Sequence, residues 1–119
     1  RRQLVARYNE KLAGLPLRTP CCIPEAAPSW HIYIVRLDLD RVKKPKAEIF
    51  AEMEERDVML NLHYIPVHLQ PYYRALGFAE GDFPASEQYY REALTLPLYY
   101  DLTDAQQDAV IAAMRDVLG

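Results

Sequence analysis

The stretch WHIYIVRL at residues 30–37 decides the fold of this chain. It is rich in β-branched and aromatic residues, which are enriched in strands, and both its odd and its even positions carry apolar side chains. A strand of this kind is covered by other parts of the protein on at least one face. We therefore expect Trp30–Leu37 to be the central strand of a small sheet.

The residues after this strand repeat apolar side chains at helical spacing. Within residues 45–58, Ile49, Phe50 and Met53 fall on one face while glutamates fall on the other, which predicts a helix. The next apolar segment, Met59–Ile65, ends at a proline and predicts a second strand. A strand, a helix and a second strand thus follow one another, an order that by itself suggests a parallel pair.

Helices are also predicted near both ends of the sequence. Residues 1–15 carry one apolar stripe, which consists of Leu4, Val5, Tyr8, Leu12 and Leu15. Thr103 and Gln106 are spaced as a capping box, which marks the start of a helix that continues to the last residues. The predicted core of the protein consists of Ile32, Ile34, Ile49, Phe50, Met53, Leu62, Val110, Ile111 and Met114.

Prolines shape two further segments. Four of them fall between residues 16 and 28 and predict a surface arm or an edge strand, since proline removes a backbone donor and disfavours helix. The apolar run Leu94–Tyr99 predicts a short strand, and its internal proline restricts it to an edge of the sheet. Cys21 and Cys22 are adjacent and poorly placed for a disulfide, so we expect buried or half-buried thiols in a reducing compartment.

The composition indicates a small folded unit without attraction for polyanions. With 119 residues the chain is one small domain or a piece of a larger protein. Its 14 Lys and Arg residues are outnumbered by 17 Asp and Glu, and the net charge of −3 argues against nucleic acid and anionic membranes as partners. No apolar run has the length of a spanning helix or the form of a signal peptide, so we expect a cytoplasmic protein.

Most residues that could carry chemistry lie in one stretch, NLHYIPVHLQPYYR at residues 61–74. It brings His63, Tyr64 and His68 to the end of the predicted second strand and the loop beyond, where binding groups are commonly held. Neighbours on a strand point to opposite faces, so either His63 or Tyr64, but not both, would enter a given cleft unless Pro66 bends the chain. The alternative is that neither residue binds a ligand: one side chain packs in the core with its polar atoms hydrogen-bonded, and the other is solvated.

Metal and nucleophile chemistry are weaker interpretations of the same residues. A metal site would combine His63 and His68 with Asp82 or His31, but the two histidines are separated by a proline in an extended stretch, unlike one-turn helical zinc pairs. A cysteine nucleophile activated by His63 lacks any surrounding catalytic signature. The four glycines are isolated and form no phosphate-binding loop. We therefore expect no metal-binding residue in this chain.

The same residues resemble the C-terminal lobe of the DegT/DnrJ/EryC1/StrS family of sugar aminotransferases, which depend on pyridoxal phosphate (PLP). RRQLVARYNEKLAGLP at residues 1–16 is similar to the helix between the two lobes of that family. NLHYIPVHLQPYYRALGF at residues 61–78 resembles the strand and loop that face its active site. FPASEQYYREALTLPLYYDLTDAQQDAVIAAM at residues 83–114 resembles its closing strand and helices, so the resemblance covers essentially the whole chain.

The resemblance implies a fold and a domain organisation. The fold would be α+β, with a small, mainly antiparallel three-stranded sheet and helices packed mostly on one face, like the small C-terminal domain of fold-type I PLP-dependent transferases. The three strands would be Trp30–Leu37, Met59–Ile65 and Leu94–Tyr99. Residues 1–119 would form a single small lobe of a longer aminotransferase, and residues 1–15 would be the end of its interlobe helix.

The resemblance also implies an activity for the longer protein. A homodimeric enzyme would move an amino group from glutamate to a UDP-linked 4-keto-6-deoxy sugar, with PLP bound in its N-terminal lobe. This lobe would supply one wall of the sugar site, with His63 and Tyr64 and, more weakly, His68 as substrate-binding residues. The Schiff-base lysine and the phosphate cradle belong to the other lobe, so this chain would contain no catalytic and no cofactor-binding residue and would be inactive alone. Its four lysines would be solvated charges.

A different class of function stays open at this point. The chain could be a free-standing α/β module that binds a small ligand or a partner protein and catalyses nothing. The reading frame upstream of Arg1 discriminates between the two hypotheses, since only the enzyme requires a PLP-binding lobe there.

Overall fold

The computed structural model describes all 119 residues, which form five helices and one three-stranded sheet. The helices are α1 (Arg2–Lys11), α2 (Lys46–Glu54), α3 (Pro71–Ala75), α4 (Pro84–Glu92) and α5 (Asp104–Leu118), and a 3₁₀ turn covers Val67–Leu69. The strands are β1 (Leu17–Arg18), β2 (Tyr33–Leu37) and β3 (Ala93–Leu96). The predicted α+β class is confirmed.

The sheet is antiparallel throughout and has β2 at its centre. Leu17 of β1 lies opposite Leu37, and Tyr33 at the other end of β2 lies opposite Leu96 of β3. The central position predicted for the WHIYIVRL stretch is therefore confirmed, and the proline-containing arm does contribute an edge strand. The parallel pair that the strand–helix–strand order suggests is absent.

One face of the sheet packs against α1, α2 and α5. The odd-numbered residues of β2 point to this face, so Tyr33, Val35 and Leu37 are all buried. The buried ring of Tyr8 in α1 stacks on the ring of Tyr33, with 4.8 Å between the ring centroids. Helix α4 lies against the opposite face of β2. Helices thus cover mainly one side of the sheet, as predicted.

The prediction of which β2 residues are buried is shifted by one position, so it names the opposite face of the strand. Ile32 and Ile34 were expected in the core but are only half-buried, and so are Phe50 and Leu62. Because both faces of the WHIYIVRL stretch are apolar, alternation along it does not reveal which face meets the helices. The remaining predicted core residues are all buried: Ile49, Met53, Val110, Ile111 and Met114.

The predicted second strand, Met59–Ile65, is also wrong. Asn61 alone pairs with β3, through two backbone hydrogen bonds of 3.1 and 2.9 Å with Thr95. The N–H of Leu62, which an antiparallel register directs away from β3, donates to the side-chain Oδ1 of Asn61 at 2.7 Å, and no further backbone hydrogen bond joins residues 62–66 to β3. Pro66 has no N–H to donate. The segment leaves the sheet after one bridge to β3, and the third strand of the sheet is β1, which pairs with the other side of β2.

Helix α5 begins at the predicted capping box and is tied to α1 by polar contacts. The N–H of Gln106 donates to Oγ1 of Thr103 at 3.2 Å, and the N–H of Thr103 donates to Oε1 of Gln106 at 2.9 Å. One residue on, the buried Gln107 donates from Nε2 to the carbonyl oxygen of Leu4 at 2.7 Å and accepts from Arg7 at 3.1 Å. A fully buried amide is thus satisfied across the contact between the two helices.

The arm before β2 corrects the expectation for the cysteines. Cys21 and Cys22 are both free thiols and both exposed, not buried or half-buried. The whole run from residue 21 to residue 27 is exposed, because the prolines keep it extended and away from the core. None of the five helices combines the length and the apolar character that crossing a membrane requires.

Candidate functional site

The first predicted site residue, His63, is held in place by the sheet. Its Nδ1 lies 2.8 Å from Oγ1 of Thr95, a buried residue of β3. Which of the two groups donates the hydrogen depends on the tautomer of the imidazole. Nε2 of His63 has no hydrogen-bond partner within the chain. The ring is therefore oriented through one nitrogen while the other is left to interact with a ligand.

His63 lines a cleft of about 680 Å³ between β3 and α5. Most of the cleft wall is apolar, and the other polar side chains that reach it include Arg56, Asn61 and Gln106. A concave, largely apolar site with a few polar groups is the usual form of a small-molecule site, and typical volumes are roughly 300–1,000 Å³. The cleft is thus large enough for a sugar-sized ligand.

Tyr64 lies beside His63 at the surface. Its side chain is 74% exposed, and the edge of one ring meets the face of the other with 4.7 Å between the centroids of Tyr64 and His63. The two rings are therefore neighbours and do not point to opposite faces, which corrects the expectation based on a strand. The hydroxyl of Tyr64 makes no hydrogen bond within the chain and is accessible to a ligand.

His68 is in a different environment, inside the loop. It is buried, and its Nε2 lies 3.0 Å from Oε1 of Glu87 in α4, an oxygen that also accepts the N–H of Gly81 at 2.8 Å. The hydrogen bond from His68, and then that from Gly81, holds the pKa of Glu87 below its ordinary value. His68 is already paired within the chain, and its contact with substrate stays a prediction.

The residues on either side of His68 and beyond it expose an apolar surface, which we call the aromatic ridge. It consists of Val67, Tyr72, Leu76, Phe78 and Phe83, whose side chains are between 39% and 69% exposed. Every residue from position 71 to position 86 is exposed. An apolar patch of this kind marks a surface that contacts another protein segment or a ligand. The structure therefore places the predicted site residues next to a surface with no partner inside the chain.

The site contains two polar residues that the sequence reasoning missed. Thr95 is the one aliphatic hydroxyl in the apolar run LTLPLY, and the sequence therefore did signal it, because a buried hydroxyl needs a hydrogen-bond partner. Glu87 gave no comparable signal, since an acidic residue in the first turn of a helix is common. Both act on the predicted residues, Thr95 through His63 and Glu87 through His68.

A second buried carboxylate, Glu92, lies on the other side of the sheet. Its Oε2 is 2.6 Å from a guanidinium nitrogen of Arg36 and 3.2 Å from one of Arg18. Burial favours the neutral acid, but hydrogen bonds from Gln88 and Arg36 and the charges of both arginines outweigh it, so the pKa of Glu92 is lowered. The two arginines and Glu92 thus link β1, β2 and α4, and their opposite charges compensate one another.

The lysines of this chain do not form a PLP site. Such a site needs a lysine amine for the Schiff base, an acid beside the pyridine nitrogen and a phosphate cradle. Lys44 is paired with Glu52 at 2.7 Å, while Lys46 donates to the carbonyl oxygen of Tyr90 and has a pKa lowered by burial. These two are partly buried, not fully solvated as expected, and no lysine lines a cleft. The residues present therefore do not fit PLP.

The histidines and acids of the chain are likewise arranged without a metal centre. No group of three or more His, Cys, Asp or Glu side chains is close enough together to hold an ion. His63 contacts Thr95 and His68 contacts Glu87, so the two histidines serve separate hydrogen bonds.

Comparison with known proteins identifies the family. Residues 1–115 match the DegT/DnrJ/EryC1/StrS aminotransferase family. Spore coat polysaccharide biosynthesis protein SpsC of Bacillus subtilis is 33% identical over an alignment of 121 positions, which covers 99% of this chain and 31% of SpsC. The chain thus spans about a third of the length of this relative.

Solved structures agree with the family match. DesV of S. venezuelae, in complex with a ketimine intermediate, superposes with a TM-score of 0.85 at 33% identity, over 97% of this chain and 30% of DesV. Spr1654 of Streptococcus pneumoniae in its PMP form gives a TM-score of 0.89 at 27% identity, over 98% of this chain and 29% of Spr1654. Because the family match covers nearly all of its residues, the chain belongs to the DegT/DnrJ/EryC1/StrS aminotransferase family.

Proposed function

We propose that this chain is the C-terminal lobe of a PLP-dependent nucleotide-sugar aminotransferase and forms one wall of its sugar site. The longer protein holds PLP in its N-terminal lobe and transfers an amino group from glutamate to a UDP-linked 4-keto-6-deoxy sugar. It acts as a homodimer in the cytoplasm, and residues 1–119 alone are inactive. Family membership supports the reaction class, and the one-third share of SpsC that the chain spans supports a longer protein.

The observation that carries this proposal is the pairing of a fixed histidine with an exposed tyrosine at the edge of a cleft. Thr95 orients His63, whose Nε2 has no partner in the chain, and the hydroxyl of Tyr64 is next to it. An imidazole nitrogen and a phenol hydroxyl can each donate or accept a hydrogen bond. Sugar hydroxyls and diphosphate oxygens are complementary to such groups, so His63 and Tyr64 bind the substrate and not the cofactor ring.

For the substrate we propose one particular member of the family. HYIPVHLQPYYR at residues 63–74 resembles UDP-4-amino-4,6-dideoxy-N-acetyl-β-L-altrosamine transaminase of the pseudaminic acid pathway. The substrate is then a UDP-linked 4-keto-6-deoxy sugar that carries an N-acetyl group. Turnover of that compound, compared with its dTDP-linked counterpart, tests the assignment, and a preference for the dTDP sugar contradicts it.

Substitutions in the full-length enzyme test the two binding residues. His63→Ala and Tyr64→Phe should each lower kcat/KM for the sugar nucleotide and leave PLP loading, read from the visible spectrum, unchanged. Loss of one hydrogen bond to a charged or partly charged group costs about 1.5–3 kcal/mol, which corresponds to roughly 10- to 100-fold in kcat/KM. We expect sugar turnover to fall and PLP loading to stay unchanged, because these side chains contact the substrate and not the cofactor ring.

Matched controls separate binding from folding. His31→Ala removes an exposed imidazole and Tyr100→Phe removes the hydroxyl of a tyrosine that is 85% exposed, and neither residue lines the cleft of His63. Both controls should keep wild-type kinetics. If His63→Ala and Tyr64→Phe are soluble and keep wild-type kinetics as well, the site assignment is wrong. Lower thermal stability with unchanged kinetics would indicate a structural role.

A further inference from the structure

The short stretch that carries Tyr64 is held at both ends by a histidine. At one end, Nδ1 of His63 contacts Oγ1 of Thr95 on β3 at 2.8 Å. At the other end, Nε2 of His68 contacts Oε1 of Glu87 on α4 at 3.0 Å. The residues between the two histidines include Tyr64, which is 74% exposed. The position of Tyr64 therefore depends on two anchors on two different elements.

The anchor at Glu87 is the stronger candidate for a special role. Its carboxylate is buried, yet a single oxygen, Oε1, accepts two hydrogen bonds from two separate segments, one from His68 and one from the N–H of Gly81. Hydrogen bonds to an ionised acceptor are roughly twice as strong as neutral ones. One carboxylate thus joins the 3₁₀ turn, the turn around Gly81 and helix α4.

The loop that Glu87 anchors has no other polar link to the body of the protein. The hydrogen bonds to Glu87 are the only ones that connect residues 67–82 with α4 or with the sheet. Within the loop, Nε of Arg74 donates to the carbonyl oxygen of Leu69 at 2.8 Å, and the N–H of Ala79 donates to Oδ2 of Asp82 at 2.8 Å. The loop therefore holds its own shape, while its attachment depends on Glu87.

We propose that Glu87 is a positioning residue for the sugar-binding wall. By clamping His68 and Gly81 it fixes the far end of the stretch that carries Tyr64, so that the phenol hydroxyl keeps one position beside the cleft. The role in substrate binding rests on the proposed function, whereas the clamp itself is a property of the fold. Removal of the carboxylate frees the loop without touching substrate or cofactor.

The experiment uses trypsin on the full-length protein carrying Glu87→Ala. Arg74 lies in the anchored loop, and Arg115 lies on α5 in the body of the lobe. Loss of a charge-assisted hydrogen bond should speed cleavage after Arg74 by roughly 10- to 100-fold, because proteolysis follows the population of the opened loop. Cleavage after Arg115 should stay within twofold of wild type. In the same variant KM for the sugar nucleotide should rise at least fivefold, with PLP loading and the half-reaction with glutamate unchanged.

Two further variants make the test decisive. Glu80→Ala removes an exposed acid of the same loop that has no hydrogen-bond partner, and it should match wild type in both assays. Glu87→Gln keeps the shape and one acceptor oxygen, so it should fall between wild type and Glu87→Ala, and it serves where Glu87→Ala does not fold. Cleavage after Arg74 at the wild-type rate in folded Glu87→Gln and Glu87→Ala overturns the clamp. Faster cleavage with unchanged KM overturns the positioning role.

The outcomes also separate this inference from the proposed function. Faster cleavage after Arg74 in a protein whose wild type turns over no sugar nucleotide refutes the proposed function and supports the clamp. If the wild-type enzyme turns over the sugar nucleotide and trypsin cleaves the Glu87 variants after Arg74 at the wild-type rate, the clamp is refuted and the proposed function is not.

Discussion

Replacing Thr95 by valine should loosen the segment that carries His63 without changing the packing of β3. Valine keeps the shape of threonine and removes the Oγ1 that lies 2.8 Å from Nδ1 of His63. A hydrogen bond contributes about 0.5–1.5 kcal/mol net, and a buried donor or acceptor left unpaired costs about 1–3 kcal/mol. His63 is half-buried, so water reaches part of the imidazole and the lower half of that range applies. We expect a loss of about 1–2 kcal/mol, a factor of roughly 5–30 in the opening equilibrium.

Amide hydrogen exchange in the full-length protein measures that opening directly. The N–H of Asn61 donates to the carbonyl oxygen of Thr95 at 3.1 Å, so this amide is protected only while the segment is docked on β3. Its exchange in Thr95→Val should speed by the same factor of roughly 5–30. Thr19→Val is the control, because Thr19 is a half-buried threonine of the arm without a side-chain hydrogen bond. Exchange of Asn61 within twofold of wild type in Thr95→Val would refute the reasoning.

Three other predictions follow from the core, the acids and the lysines. Met53→Ala should lower the free energy of unfolding by about 2–5 kcal/mol in urea titrations because Met53 is fully buried, whereas Met59→Ala, at a residue 69% exposed, should change it by less than about 0.5 kcal/mol. Folding lowers the pKa values of Glu87 and Glu92, so both carboxylates stabilise the folded state fully above the ordinary pKa of 4.5. This stabilisation is lost as the pH falls through the lowered pKa values, and a urea midpoint that stays constant from pH 6 to pH 3 would contradict it. Residues 1–119 mixed with PLP should give no saturable, borohydride-trappable adduct at a single lysine, and mass spectrometry showing one would mean that the chain holds its own cofactor site.

Elements with a single strong local signal could be predicted from the sequence. The capping box of Thr103 and Gln106 marked the start of α5 to the residue, because a side chain and a backbone three residues apart satisfy each other without help from the rest of the fold. The stripe of α1 is likewise local, and Leu4, Val5 and Tyr8 are buried as its spacing predicts. Helical periodicity and helix capping depend on residues close together in the sequence, so both can be predicted without knowing the tertiary contacts.

Properties that depend on distant partners were predicted less well. The face of β2 that meets the helices is decided by contacts with α1, α2 and α5, and the stretch offers both Ile34 and Val35 as apolar candidates. Residues 59–65 have the composition of a strand, but only Asn61 bridges to β3, and the next N–H, that of Leu62, bonds locally to the side chain of Asn61. At the site, composition and clustering singled out His63 and His68, yet the partner of each, Thr95 or Glu87, lies 32 or 19 residues further along the chain.

The contacts between α1 and α5 have a consequence for synthesis on the ribosome. Gln107 is bonded to Leu4 across 103 residues, and Arg115 donates to the carbonyl oxygen of Lys11 across 104. The part of the α1 stripe that α5 covers is therefore exposed until α5 has left the exit tunnel, at about 5–20 residues per second some 5–20 s later. Loop closure over this length makes the docking of α5 a late and slow step of folding. Nascent chains that end before α5 should therefore be bound by chaperones through α1, and that binding should end once α5 is complete.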